Sequence, residues 1–286
     1  MGIIKKNIML EIVCILALSH SMACSNGQVQ DTTRQKDTVM ISTPIPKPVV
    51  DKFAWKPLVQ DSTKLYIYLT FDDGPQAGTE ICYDLLKEAN IKASFFMVGL
   101  HSAKKRDGKF IVSRIRESYP QILLANHSYT HANDKYIYFY QHPLMAEKDF
   151  YKAQDSLHVP YKIVRLPGNS AWVTDGKLRA THLVKPVTEL LDSAGYNVIG
   201  WDVEWHFNHK NARPVQSPEK LAAEVDSAFA QNHTHVKKQV VILSHDRMFQ
   251  RPEDADSLAK FINILKQNPR YVFETVDHYP GVVVGH

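Results

Sequence analysis

The chain of 286 residues is 44% hydrophobic and 22% charged, the balance of a folded protein with length enough for one large domain and its own core. Its net charge of +4 is small, and no basic cluster interleaved with aromatics accompanies it, so no nucleic-acid surface is expected.

At the start of the chain Lys5 and Lys6 precede a mostly apolar run, Ile8–Leu18, and Ser21-Met22-Ala23 lead into Cys24. That order is the pattern of a secretory signal over residues 1–23, too short for a membrane span. A cysteine directly after small residues resembles the bacterial lipoprotein processing site. The resemblance implies export from a bacterial cell, lipidation of Cys24 and a membrane-anchored protein facing the periplasm or the exterior. Residues 24–52 are polar and then Pro-dotted ("STPIPKPVV"), a flexible tether to a domain over 53–286. Beyond Cys14 and Cys24 only Cys82 remains, so no disulfide is expected in the body, and its place beside Ile81 and Leu85 marks a buried apolar residue.

From Lys64 onward strand and helix patterns alternate. "KLYIYLTF", "ASFFMVG", "QILLANH", "YKIVRL", "YNVIGWDV", "QVVILSH" and "YVFETV" predict seven strands. Helices are predicted from a Thr79 cap to Asn90, over Lys109–Tyr119, Pro143–Leu157 and Val184–Ala194, after the Ser217-Pro218-Glu219 start, and over Asp254–Gln267. Strands apolar through their length, each followed by a helix, predict a distorted (β/α) barrel of about seven parallel strands. No Gly-rich phosphate loop follows any strand, so no nucleotide partner is expected.

Barrel chemistry belongs at the C-terminal ends of the strands, and polar residues gather there. Strand one ends in Asp72-Asp73, the third in "NHSYTH", the fourth in "RLPGN", the fifth in "DVEW" and the sixth in "SHD". The four-residue spacing of His127 and His131 would put both rings on one face of a helical turn, one way two histidines reach a single ion. One carboxylate of the aspartate pair completes a two-His, one-carboxylate set that leaves positions open for water and substrate.

"TFDDGP", "HSYTH", "RLPG" and "LSH", in this order from Tyr66 to His245, resemble the polysaccharide deacetylases of carbohydrate esterase family 4, the NodB homology domain. The resemblance implies a NodB-like fold and a metal-dependent hydrolase acting on an acetylated polysaccharide or oligosaccharide. It makes Asp72 the general base and Asp73 a ligand, with His127 and His131, of one divalent metal ion. Zinc is the expected ion, with cobalt or another divalent ion as the alternative. Arg165 would steady the base, His245 would be the general acid, and the Gly168 N–H would hold the oxyanion. The fourth motif departs from the family pattern and reads "GWDVEWHFNH". There Asp202 and Glu204 are candidate partners for Arg165, and Trp201 and Trp205 candidate apolar walls. Trp172 and Trp201 are candidates to stack on sugar rings, while His206 and His209, within the 202–218 insertion, read as a solvated loop. The activity so implied is N-deacetylation of an extracytoplasmic amino-sugar polymer, peptidoglycan or chitin-like. The alternatives are an O-acetyl esterase on xylan or another glycan, and an inactive glycan-binding lipoprotein.

Overall fold

The strands bury both faces, and the alternation of their side chains sets the layers. The computed structural model describes residues 53–284, within one compact unit, Val49–His286. The expected signal, Cys24 and the tether lie outside the described residues. In chain order the elements are β1 (Leu65–Asp72), α1 (Thr79–Ala89), β2 (Ala93–Met97), α2 (Gly99–Lys104), α3 (Gly108–Glu117), β3 (Ile122–Asn126), α4 (Tyr136–Gln141), α5 (Pro143–Leu157) and β4 (Ile163–Val164). They continue with β5 (Trp172–Thr174), β6 (Lys177–Arg179), α6 (Lys185–Ser193), β7 (Asn197–Val198), β8 (Val203–Glu204), α7 (Pro218–Gln231), β9 (Gln239–His245), α8 (Pro252–Lys266) and β10 (Tyr271–Phe273).

The strands form one sheet in the order β6-β5-β7-β4-β3-β2-β1-β9-β8, with β10 beside the first half of β1. Every ladder is parallel except those that β5 makes with β6 and β7. Among the described residues no ladder joins β8 back to β6, so the expected barrel is a half-barrel. All seven predicted strands are present. "YNVIGWDV" divides into β7 and β8 because the chain crosses the open side there, from β4 to β9. The β5–β6 hairpin was not expected. It turns on Asp175 and Gly176, both at positive φ, the conformation that Asp-Gly hairpin turns favour.

Successive strand side chains point to opposite faces. Ile67, Leu69 and Phe71 of β1 pack with α1, α3, α7 and α8, whereas Tyr66 and Tyr68 face an inner cluster holding Trp172, Ile199 and Tyr279. Side chains from the connections and the C-terminal segment thus fill the inside where further strands would close a barrel. Ser217 caps α7 as predicted, accepting the Lys220 N–H at 3.3 Å. Thr79 does not cap α1. It stands one residue inside the helix, and its hydroxyl accepts the Gln76 N–H at 2.6 Å and donates to buried Asp246. Cys82 is buried and free.

Candidate active site

The site is built where β1, β3, β4 and β9 end. Asp72 is the last residue of β1 and lies in register with His245 of β9. By strand alternation Asp73 would face the opposite side of the sheet. Its φ of 74° turns it out of the strand instead, so both carboxylates serve one cavity. An L-residue rarely holds this conformation without support from its surroundings. Here His101 Nδ1 donates to the Asp73 carbonyl at 2.6 Å and Gln76 Nε2 at 3.3 Å. The next residue is glycine, and a Cβ there would lie 2.4 Å from Asp246 Oδ2 and from the Met97 sulfur. Neither His101 nor Gln76 was marked by the sequence reading, because their role depends on a backbone kink that no motif announces.

His127 and His131 do come together, with ring centroids 5.1 Å apart, but a loop and not a helical face brings them there. Ser128 and His131 take positive φ, and the His131 N–H donates to the Ser128 hydroxyl at 3.0 Å. His127 Nδ1 donates to the Arg165 carbonyl at 2.9 Å, leaving Nε2 with its lone pair toward the aspartates. A histidine so oriented is ready to ligate. Asp73 Oδ1 lies 3.0 Å from His131 Nε2 and 3.4 Å from His127 Nε2, yet this buried oxygen accepts no hydrogen bond. Burial works against the Asp73 charge, but His127 and His131 outweigh it and hold its pKa well below the carboxylate range. The potential ligand atoms of Asp73, His127 and His131 all lie within 4.8 Å of one another. A buried acceptor left unsatisfied is costly, and oxygen and imidazole donors converging on one point suit a divalent cation.

Asp72 Oδ1 accepts from Arg165 Nη1 at 2.9 Å. Arg165 is fully buried. It also donates to the Thr70 hydroxyl at 2.6 Å and to the carbonyls of Ile199 and Gly200 at 3.1 and 2.8 Å. Every arm of the guanidinium is thus engaged, and neither Asp202 nor Glu204 hydrogen-bonds it. Asp202 accepts the His235 and Val241 N–H groups at 2.6 and 2.8 Å, while Glu204 pairs with His206 at 3.2 Å on the rim of the cavity. The expectation that these two carboxylates hold Arg165 is therefore replaced by Thr70 and two backbone carbonyls. Those carbonyls become available where the chain crosses the open side of the half-barrel.

His245 Nε2 is 4.0 Å from Asp73 Oδ2, its ring edge meets Phe207 at 4.8 Å, and its buried Nδ1 has no partner. Burial lowers its pKa, while Asp73 and Asp72 pull the other way. Gly168 lines the same cavity at a φ of 64°, with the Tyr136 ring so close that an added Cβ would stand 3.1 Å from it. Asp72, Asp73, His127, His131, Gly168, Trp201, Glu204 and His245 surround this cavity of about 780 Å³, with Arg165 beneath Asp72.

Two tryptophans do not join them. Trp205 is fully buried between Phe249 and Phe261, its Nε1 donating to the Gln216 carbonyl at 3.0 Å, because residue 205 turns toward the helical layer. Trp172 stacks on His235 inside the half-barrel and lines a different cavity. The 202–218 insertion is braced by Gln216, which bonds the His206 N–H and the Glu204 carbonyl, both at 2.9 Å. It delivers Phe207 to the site and leaves His206 and His209 exposed on the rim.

Residues 60–171 match the polysaccharide deacetylase family model. YheN of Bacillus subtilis is 28% identical over 85% of this chain and 76% of its own length. A peptidoglycan-N-acetylglucosamine deacetylase of Bacillus cereus is 25% identical over 96% of this chain and 94% of its own. In three dimensions, the catalytic domain of peptidoglycan N-acetylglucosamine deacetylase from Eubacterium rectale superposes with a TM-score of 0.57 at 24% identity, over 82% of this chain and all of that one.

Proposed function

We propose that the chain, whose residues 60–171 match the polysaccharide deacetylase family model, is a polysaccharide deacetylase that removes N-acetyl groups from an extracytoplasmic amino-sugar chain, peptidoglycan or chitin-like, using a divalent cation, zinc first. Asp73, His127 and His131 would hold the cation. The observation that carries this reading is the orphaned Asp73 Oδ1 facing two imidazole Nε2 atoms beside a second, separately held carboxylate. A cation in that position supplies Lewis acidity, making water more acidic and an acetyl carbonyl more electrophilic.

The chain's own residues take the remaining tasks. Asp72 keeps one oxygen on Arg165 and turns the other toward the cavity, where it takes a proton from attacking water. Arg165 is immobilised by four acceptors, so it fixes that carboxylate without approaching substrate. The Gly168 N–H is the donor for the developing oxyanion. His245 gives a proton to the departing amine. Its lowered pKa makes the imidazolium a stronger acid while reducing its population at neutral pH. The apolar Phe207 edge confines the ring.

Acetate release from a panel of N- and O-acetylated glycans, with and without chelator, tests the reading. Release from N-acetylated members, abolished by chelator and restored by zinc, is expected. Release confined to O-acetylated xylan moves the activity to an esterase, and no release from any member with metal bound sinks the enzyme reading. The signal-like pattern over residues 1–23 and Cys24 support a lipid-anchored protein outside the cytoplasm. Fatty-acid labelling in a bacterial host should mark the full chain and be lost in Cys24→Ser. Equal labelling of both would overturn the anchor.

A further inference from the structure

The 202–218 insertion folds back on itself as a small hairpin. Phe207 pairs with Pro214 in an antiparallel bridge. The Asn208 N–H donates to the Arg213 carbonyl at 2.9 Å and the Val215 N–H to the His206 carbonyl at 2.8 Å. The tip turns at Ala212, whose φ is 56°. A ribbon of two strands is marginal in water without support from its surroundings, and here the support comes from α8. Asp254, in the first turn of that helix, is buried, and its Oδ1 accepts from Arg213 Nε at 3.2 Å and Nη2 at 3.0 Å. Exposed Glu253 adds a longer contact to the same nitrogen at 3.4 Å. Arg251, just before the helix, donates to the Asn211 carbonyl at 3.0 Å and lies 3.7 Å from Asp254 Oδ2. A carboxylate at a helix N-terminus with two guanidinium groups beside it is favoured by the helix dipole and by both cations. Asp254 does not line the active-site cavity.

The same hairpin brings Phe207 to that cavity. Its ring centroid is 4.8 Å from that of His245, and the Arg247 guanidinium lies over its face at 5.5 Å. An active-site imidazole is ordinarily oriented by a hydrogen bond to its second nitrogen. His245 lacks one: Nδ1 is buried without a partner, and Nε2 stands 4.0 Å from Asp73 Oδ2. Packing therefore sets the rotation of the ring, and Phe207 is the aromatic side chain packed against it. We infer that Asp254 is a positioning residue for the general acid: through Arg213 it holds the hairpin that keeps Phe207 against His245. The role of His245 rests on the deacetylase reading; the packing does not. A carboxylate on a separate helix thus governs turnover without touching substrate or metal.

The test uses the full chain loaded with zinc and an N-acetylglucosamine oligomer as substrate. Asp254→Ala and Arg213→Ala should each lower kcat roughly three- to tenfold, the effect of a modest misplacement of a catalytic group, with KM and bound zinc unchanged. Phe207→Ala should lose at least as much. Adding Arg213→Ala to it should cost nothing further, because the brace acts through that ring. Arg213→Lys, which keeps the charge, should retain most of the wild-type kcat. A second readout needs no turnover: modification of His245 by diethyl pyrocarbonate, followed by mass spectrometry, should be faster in all three alanine variants than in the wild type. Should Asp254→Ala fail to fold, Arg213→Ala, at an exposed position, carries the test. Either readout unchanged in folded Arg213→Ala, a change confined to KM, or losses that multiply in the double variant overturn the inference. No acetate release from any form, with His245 still modified faster in the variants, defeats the deacetylase reading and leaves the brace standing.

Discussion

The half-barrel carries two buried groups of acids and bases, one at each end of its strands, and they are built on opposite principles. Near the N-terminal ends, Glu274 accepts from Lys92 at 2.7 and 2.8 Å, from the Thr275 N–H at 3.0 Å and from His278 Nδ1 at 3.1 Å. The other nitrogen of His278 donates to the Lys56 carbonyl at 3.0 Å. Lys92 and Glu274 border a cavity of about 920 Å³, larger than the one at the C-terminal ends, yet their charges are spent on each other. At the C-terminal ends Asp73 Oδ1 and His245 Nδ1 are buried without partners. Volume does not distinguish the two ends, nor does a single orphaned atom, since Asp277 Oδ1 beside His278 is also buried without a partner. What sets the C-terminal end apart is an orphaned oxygen, Asp73 Oδ1, facing two imidazole Nε2 atoms. A saturated cluster stabilises, whereas an unsaturated one costs stability unless a ligand completes it.

That contrast can be broken in several places. The largest effects belong to the aspartates. Asp72→Asn should lower turnover by about 10²- to 10⁴-fold, the range of a lost general base, with metal content unchanged. Asp73→Asn should instead lose metal on dialysis. Metal retained in Asp73→Asn and lost in Asp72→Asn would reverse the two assignments. A smaller effect is expected at the other end: Glu274→Gln should cost about 1–3 kcal/mol in denaturant unfolding while the folded enzyme keeps its turnover. A variant equally stable but inactive would erase the distinction between the ends.

The smallest effect is a pH profile. Burial opposes the Glu274 charge, but His278 and Lys92 outweigh it and lower its pKa from 4.5; burial likewise opposes the His278 charge, but Glu274 outweighs it and raises its pKa from 6.5. Both ring nitrogens of His278 donate, so the imidazolium is the form the fold selects. A depressed acid contributes stability above 4.5 that is lost as pH falls through its folded value. A raised histidine contributes stability below 6.5 that is lost as pH rises through its own. The stability gap between wild type and Glu274→Gln should therefore be widest between pH 4.5 and 6.5 and narrow on both sides. A gap constant from acid to alkaline pH would show that the pair does not titrate as a unit.

The tryptophans show how far residue type alone reaches. Trp201 and Trp205 read as candidate apolar walls in the altered fourth motif, and Trp172 and Trp201 as candidates to stack on sugar rings. In the fold Trp205 is core, Trp172 lines a second cavity and Trp201 stands between the two cavities. Nothing local separates them, because burial depends on where the chain crosses from β4 to β9. Asp202 and Glu204 are similar: carboxylates in the right stretch, but Arg165 meets backbone carbonyls before it meets either of them.

What the sequence determined by itself is what depends on neighbours along the chain. Two-face apolar runs specify buried parallel strands, Ser217 specifies a helix start, and Asp72-Asp73, His127, His131 and His245 supply, at strand ends, the side-chain types that the proposed metal-assisted hydrolysis needs. Only the tertiary structure decided how those donors meet. β1 lies between β2 and β9, so Asp72 stands beside His245. A left-handed residue at Asp73, tied by His101 and Gln76, turns two consecutive side chains to one cavity. Sheet order and a supported positive φ are properties of contacts distant in sequence, and no local pattern encodes them.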